Sequence, residues 1–94
     1  MKSIIQTDDG FCLFCHGIAT DTHHCLGGSN RRLADQDGLT IRLCRQCHDK
    51  VHNGKQSKAL TQKLHRLAQT KWEANCLEGN PREEWMKRYG RNYL

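Results

Sequence analysis

Four of the six cysteines form two matched pairs, Cys12-x-x-Cys15 and Cys44-x-x-Cys47. Thiolates three residues apart on a tight knuckle can point at one ion, and two such knuckles complete a tetrahedron around zinc. With all four positions taken by protein, such a site is structural rather than catalytic. The alternative for the two pairs is a couple of unrelated redox motifs. Cys25 and Cys76 are left over as bystander thiols. Each pair is also followed by a histidine, His16 and His48, so the pattern spells the CxxCH attachment signature of c-type haem. A haem protein of that kind needs export, and the reading leaves the other histidines and the basic residues without a role.

The histidines form a second constellation. His23 and His24 are adjacent, and neighbouring side chains on a strand point to opposite faces, so the two predict different jobs. His48 and His52 are four apart, which on a helix puts both on one face within reach of one ion. Any single histidine is ordinarily a solvated or packed side chain. An HH and an HxxxH beside two CxxC pairs instead predict a second metal site, for which imidazole is a good ligand. Spacing leaves open which of His23 and His24 faces the ion.

These residues need elements to hold them. Residues 1–10 read as an arm or first strand and 11–15 as a knuckle. Residues 18–24 read as a strand, and residues 25–38, rich in Gly, Asn and Asp, as a long turn and loop. Residues 39–43 alternate apolar and polar, as a half-buried strand does. A helix is predicted from Arg45, stopping at Asn53-Gly54. Ser57 reads as the cap of a second helix with Leu60, Leu64, Leu67, Ala68 and Trp72 at helical spacing, ending at Glu78-Gly79. Asn80 as N-cap, Pro81 at the first position, Glu83 at the third and Gly90 at the end define a third helix.

The run DTHHCLGGSNRRLADQDGLTIRLCRQCHDKVH resembles the ββα-metal motif of HNH (His-Me finger) endonucleases, especially compact phage-type members with a CxxC knuckle on each side. The closing EEWMKRYGRNYL is similar to the tail of small phage HNH proteins. The resemblance implies a small α+β fold, with a ββα-metal core, a four-cysteine zinc knuckle and a helical C-terminal tail. It implies one nuclease domain over residues 1–94, with knuckle and motif in 11–53 and tail in 54–94. Carried over by position, His23, His48 and His52 bind a catalytic divalent metal (Mg2+, Mn2+, Ni2+ or Zn2+), and His24 is the general base, with His23 the other candidate for that role. Cys12, Cys15, Cys44 and Cys47 hold the structural zinc. The activity implied is hydrolysis of phosphodiesters in double-stranded or branched DNA by a phage or prophage protein; a non-catalytic zinc module binding nucleic acid or protein is the alternative. One departure stands out. Leu39 occupies the place of the family's central Asn, whose bracing of the loop would fall to Asp37.

Composition agrees with a stapled domain. A chain of 94 residues with 36% hydrophobic content and a mean hydropathy of -0.83 has little core to bury, so a metal staple is the expected supplement. The N-terminus has no apolar run, which predicts a cytoplasmic protein of the bacterial host cell with no leader and no membrane span. The net charge of +5 suits a polyanionic partner and equally an ordinary basic surface. Arg31, Arg32, Arg42 and Arg45 surround the Cys/His region, Lys58, Lys63, Arg66 and Lys71 follow the long helix, and Arg82, Lys87, Arg88 and Arg91 crowd the end. Trp72, Trp85 and Tyr89 are expected to pack rather than to stack on bases. The helical tail is compatible with a monomer or a homodimer, and double-strand cutting would favour the dimer.

Overall fold

The structure is a computed structural model that describes residues 2–7 and 9–94. Two antiparallel strands, β1 (Asp21–His24) and β2 (Thr40–Leu43), pair with His23 opposite Ile41 and His24 opposite Thr40. Among the described residues there are four α-helices: α1 (Arg31–Asp37) lies between the strands in the chain, and α2 (Arg45–Asn53), α3 (Ser57–Ala74) and α4 (Pro81–Tyr89) follow β2. The architecture is a small α+β fold. No helix among the described residues is long and apolar enough to cross a membrane.

β2 is the spine. Ile41 and Leu43, together with the preceding Leu39, are fully buried among Leu26, Ala34, Val51, Leu64, Ala68 and Trp85. The knuckle is tied to this strand by a Leu13 N–H bond to the Arg42 carbonyl, 2.9 Å, and the arm by the Arg42 N–H bond to Gln6 Oε1, 2.8 Å, and by the Ser3 hydroxyl, which donates to the Thr40 carbonyl. The predicted arm therefore runs beside β2, although its described residues form no strand; Met1 and Asp8 lie outside the described residues.

Several expectations are corrected. β1 is shorter than residues 18–24, because Ile18 turns out into a single bridge with Phe11 that closes the knuckle. The stretch read as loop contains α1. Its two apolar residues, Leu33 and Ala34, are too few to show a helical period, but its end carries a helix signature. Gly38 adopts φ 75, and the Leu39 N–H reaches back to the Ala34 carbonyl, a Schellman closure. A Cβ at Gly38 would also meet the Lys2 carbonyl oxygen at 2.3 Å. Ser57 is not the cap of α3; Gln56 is, and the Ser57 hydroxyl instead donates to the Val51 carbonyl at the end of α2. α3 stops at Ala74, before Glu78-Gly79, because Asn75 and Cys76 turn their N–H groups back onto its last carbonyls. α2 and α4 have the expected bounds, with the Asn80 side chain accepting from the Glu83 N–H and Gly90 left-handed at the end.

The terminal helices are packed rather than trailing. Trp72, Trp85 and Tyr89 interlock, with Trp85 and Tyr89 ring centres 4.1 Å apart. Asp37 does not brace the hairpin loop. Its carboxylate accepts from the Trp72 indole N–H, from two Arg88 nitrogens and from the Tyr89 hydroxyl, clasping α1 to α3 and α4. Burial and this carboxylate push the Tyr89 phenol up, so it remains an O–H donor.

Candidate metal centres

The knuckle and the start of α2 bring Cys12, Cys15, Cys44 and Cys47 together, one sulfur each within 4.8 Å of the others. The Cys15 and Cys44 sulfurs are 3.6 Å apart; a tetrahedral zinc with Zn–S of about 2.3 Å sets sulfurs about 3.8 Å apart. The donor set therefore fits zinc. Its protonation is uneven. Burial opposes ionisation of Cys12, but N–H groups of Cys15, Cys44 and Phe14 directed at it bring the thiol down to about 6. The Cys47 backbone N–H lowers Cys44, whereas burial and the neighbouring sulfurs push Cys47 up to about 12. Crowded sulfurs of this kind ionise together only when a cation neutralises them. One convergent cluster also leaves no separate cysteine pairs for two haems. Cys25 stands apart, buried and pushed up to about 12 by desolvation, an unreactive thiol.

The second cluster lies across β1 and α2. His23, His48 and His52 each offer a nitrogen within 4.8 Å of the others. The Nε2 atoms of His48 and His52 are 3.1 Å apart, one helical turn delivering both to the same point. The His23 ring centre is 5.3 Å from each. Burial, helped by repulsion from the surrounding imidazoles, brings His23 down to about 4, so at neutral pH it is an uncharged imidazole able to accept an ion.

Two carboxylates complete the surroundings, and neither was singled out from sequence. Asp21 accepts from His48 Nδ1 at 2.9 Å, leaving Nε2 free for an ion; it also takes bonds from the Arg45 guanidinium and the Thr20 hydroxyl. The bond from His48 is the main reason its carboxyl lies below the usual range. The signal was present: Asp21 and His23 are two apart on β1 and share a face. His24 leaves the triad, its Nε2 lying 3.2 Å from Asp35 of α1.

His23, His24, His48 and His52 nonetheless line one cavity of about 660 Å3, which also takes in Arg31, His65 of α3 and Tyr93. Several of the basic residues are internally paired: Arg45 with Asp21, Arg82 with Glu73, Lys87 with Glu84 and Arg88 with Asp37. Arg31, Arg32, Lys58, Lys63 and Arg66 are exposed. Comparison of the chain with protein-family models, curated proteins and solved structures returned no match.

Proposed function

We propose that this chain is a metal-dependent endonuclease that hydrolyses DNA phosphodiesters, with β1, β2 and α2 as a ββα-metal core into which α1 is inserted. The observation that carries the reading is the division of the adjacent histidines: His23 joins His48 and His52, while His24 stands beside them in the same cavity with its own carboxylate. A divalent metal bound by His23, His48 and His52 would supply Lewis-acid stabilisation of phosphate charge and of the leaving 3′ oxygen. His24 donates Nε2–H to Asp35, which leaves Nδ1 to take the proton of the attacking water. The water oxygen bonds to phosphorus, the P–O3′ bond breaks, and Asp35 stabilises the imidazolium formed. Asp21 holds the His48 ring in place. The Cys cluster keeps α2, and so two of the three ligands, at a fixed distance from β1.

A second reading, a non-catalytic zinc module, draws on one observation: Leu39 is core, and Asp37 is committed to the tail helices, so neither braces the loop as the family's Asn does. A plasmid-nicking assay with Mg2+, Mn2+, Ni2+ or Zn2+ decides between the two. Wild type should nick, and His24→Ala should lose about 100-fold or more of the rate. Equal rates in the two proteins would sink the mechanism. No nicking, together with two inert zincs per chain, would establish the module.

A further inference from the structure

Part of the cavity wall is made by His65 of α3 and by Tyr93, in the segment beyond α4. Beyond Gly90 the last residues form neither helix nor strand, yet they are pinned. The Trp85 indole N–H donates to the Arg91 carbonyl at 2.7 Å, and the Tyr93 N–H donates to Gln69 Oε1, also at 2.7 Å. Gln69 is completely buried in α3, and its Nε2 donates to Asn92 and Glu73. A buried amide is costly unless fully bonded, and this one is committed to holding a terminal segment. The result is a fixed pair of rings, Tyr93 against His65 with centres 4.5 Å apart, and the Arg91 guanidinium 5.3 Å from the Tyr93 ring.

We infer that this wall, with Arg31 lining the same cavity, is a subsite for an unpaired nucleotide flanking the phosphodiester bond to be cut. The inference rests on the nuclease reading of the site and names its preferred substrate class: DNA with single-stranded or displaced nucleotides beside the cut, bound more tightly than continuous duplex. Rings beside a cation are what single-stranded nucleotides bind, through base and sugar contacts and phosphate charge. The cavity, about 660 Å3, falls in the size range of small-ligand sites, room for one nucleotide drawn from its stack. Burial, and then the Arg91 cation, push the His65 imidazole below its ordinary range, so it meets the ligand as an uncharged ring.

The test is fluorescence anisotropy with metal-loaded protein in a His24→Ala background, using a blunt duplex and the same duplex with a single-stranded flank. The flanked probe should bind more tightly. Tyr93→Ala and His65→Ala should each weaken that binding by about 5- to 150-fold, with the blunt duplex and the metal content unchanged; Tyr93→Phe should retain the preference. Equal affinity for both probes, or the same loss on both in each variant, overturns the inference. A purely packing role for Tyr93 would lower Tm and leave the preference intact in His65→Ala, which also overturns it. Failure of the nuclease reading is separate, since it appears as wild-type protein that binds but does not nick.

Discussion

At the scale of single residues, Asp21 is the group that would tune the His cluster from behind. With His48 Nδ1 2.9 Å from its carboxylate, Nε2 is the nitrogen left for an ion. Asp21→Asn keeps the shape but weakens the acceptor, so the affinity of the His cluster for Ni2+ or Co2+ should fall about 10- to 100-fold. Calorimetric titration with Ni2+ or Co2+ measures this; an unchanged affinity would reduce Asp21 to a surface partner of Arg45. His23 differs in kind, because its suitability comes from burial and crowding rather than from a hydrogen-bond partner.

At the scale of elements, α1 does two jobs from carboxylates two positions apart. Asp35 serves His24, and Asp37 serves Trp72, Arg88 and Tyr89. Asp37→Ala would leave the indole N–H and the phenol O–H without their acceptor and release Arg88. Unsatisfied groups of this kind cost about 1–3 kcal/mol each, and both are partly shielded from water, so a loss of about 2–4 kcal/mol is expected in urea unfolding. Metal affinity should stay at the wild-type value, since Asp37 touches no residue of the His cluster. A drop in affinity with no change in stability would restore Asp37 to the loop-bracing role.

The balance for the whole molecule turns on the four cysteines. Zinc bound by such clusters contributes about 10–16 kcal/mol in small peptides, while a domain of this kind has net stability of about 5–15 kcal/mol. The apo chain should therefore be largely unfolded. Removing zinc with a chelator, or substituting Cys44→Ser, should abolish most of the helical circular dichroism and expose the otherwise buried Cys25 to thiol reagents. Retained helicity after zinc loss would show that the aromatic core of Trp72, Trp85 and Tyr89 suffices. The two centres are coupled through α2, which begins beside Cys44 and carries His48 and His52, so chelation should also abolish tight binding at the His cluster.

Local chemistry was legible in the sequence wherever a short-range rule governs it. Cys-x-x-Cys spacing, the one-turn step from His48 to His52, and the Asn80-Pro81 and Gly90 signals depend on backbone geometry over a few residues. The bounds of α2 and α4 follow from the same rules. α1 was obscured because a short helix with two apolar residues carries no period, and its Schellman end was masked by turn-forming neighbours. Three pairings required the folded chain: His48 with Asp21, His24 with Asp35, and Tyr93 with His65, separated by 27, 11 and 28 positions. Which of His23 and His24 joins the helix pair was likewise undetermined by spacing, since a strand assigns them opposite faces without saying which face meets α2. The sequence by itself determined that two metal-competent clusters exist. Only the packing of α1 and α2 against β1 decided how the adjacent histidines divide, because that choice depends on which side of the hairpin each helix covers.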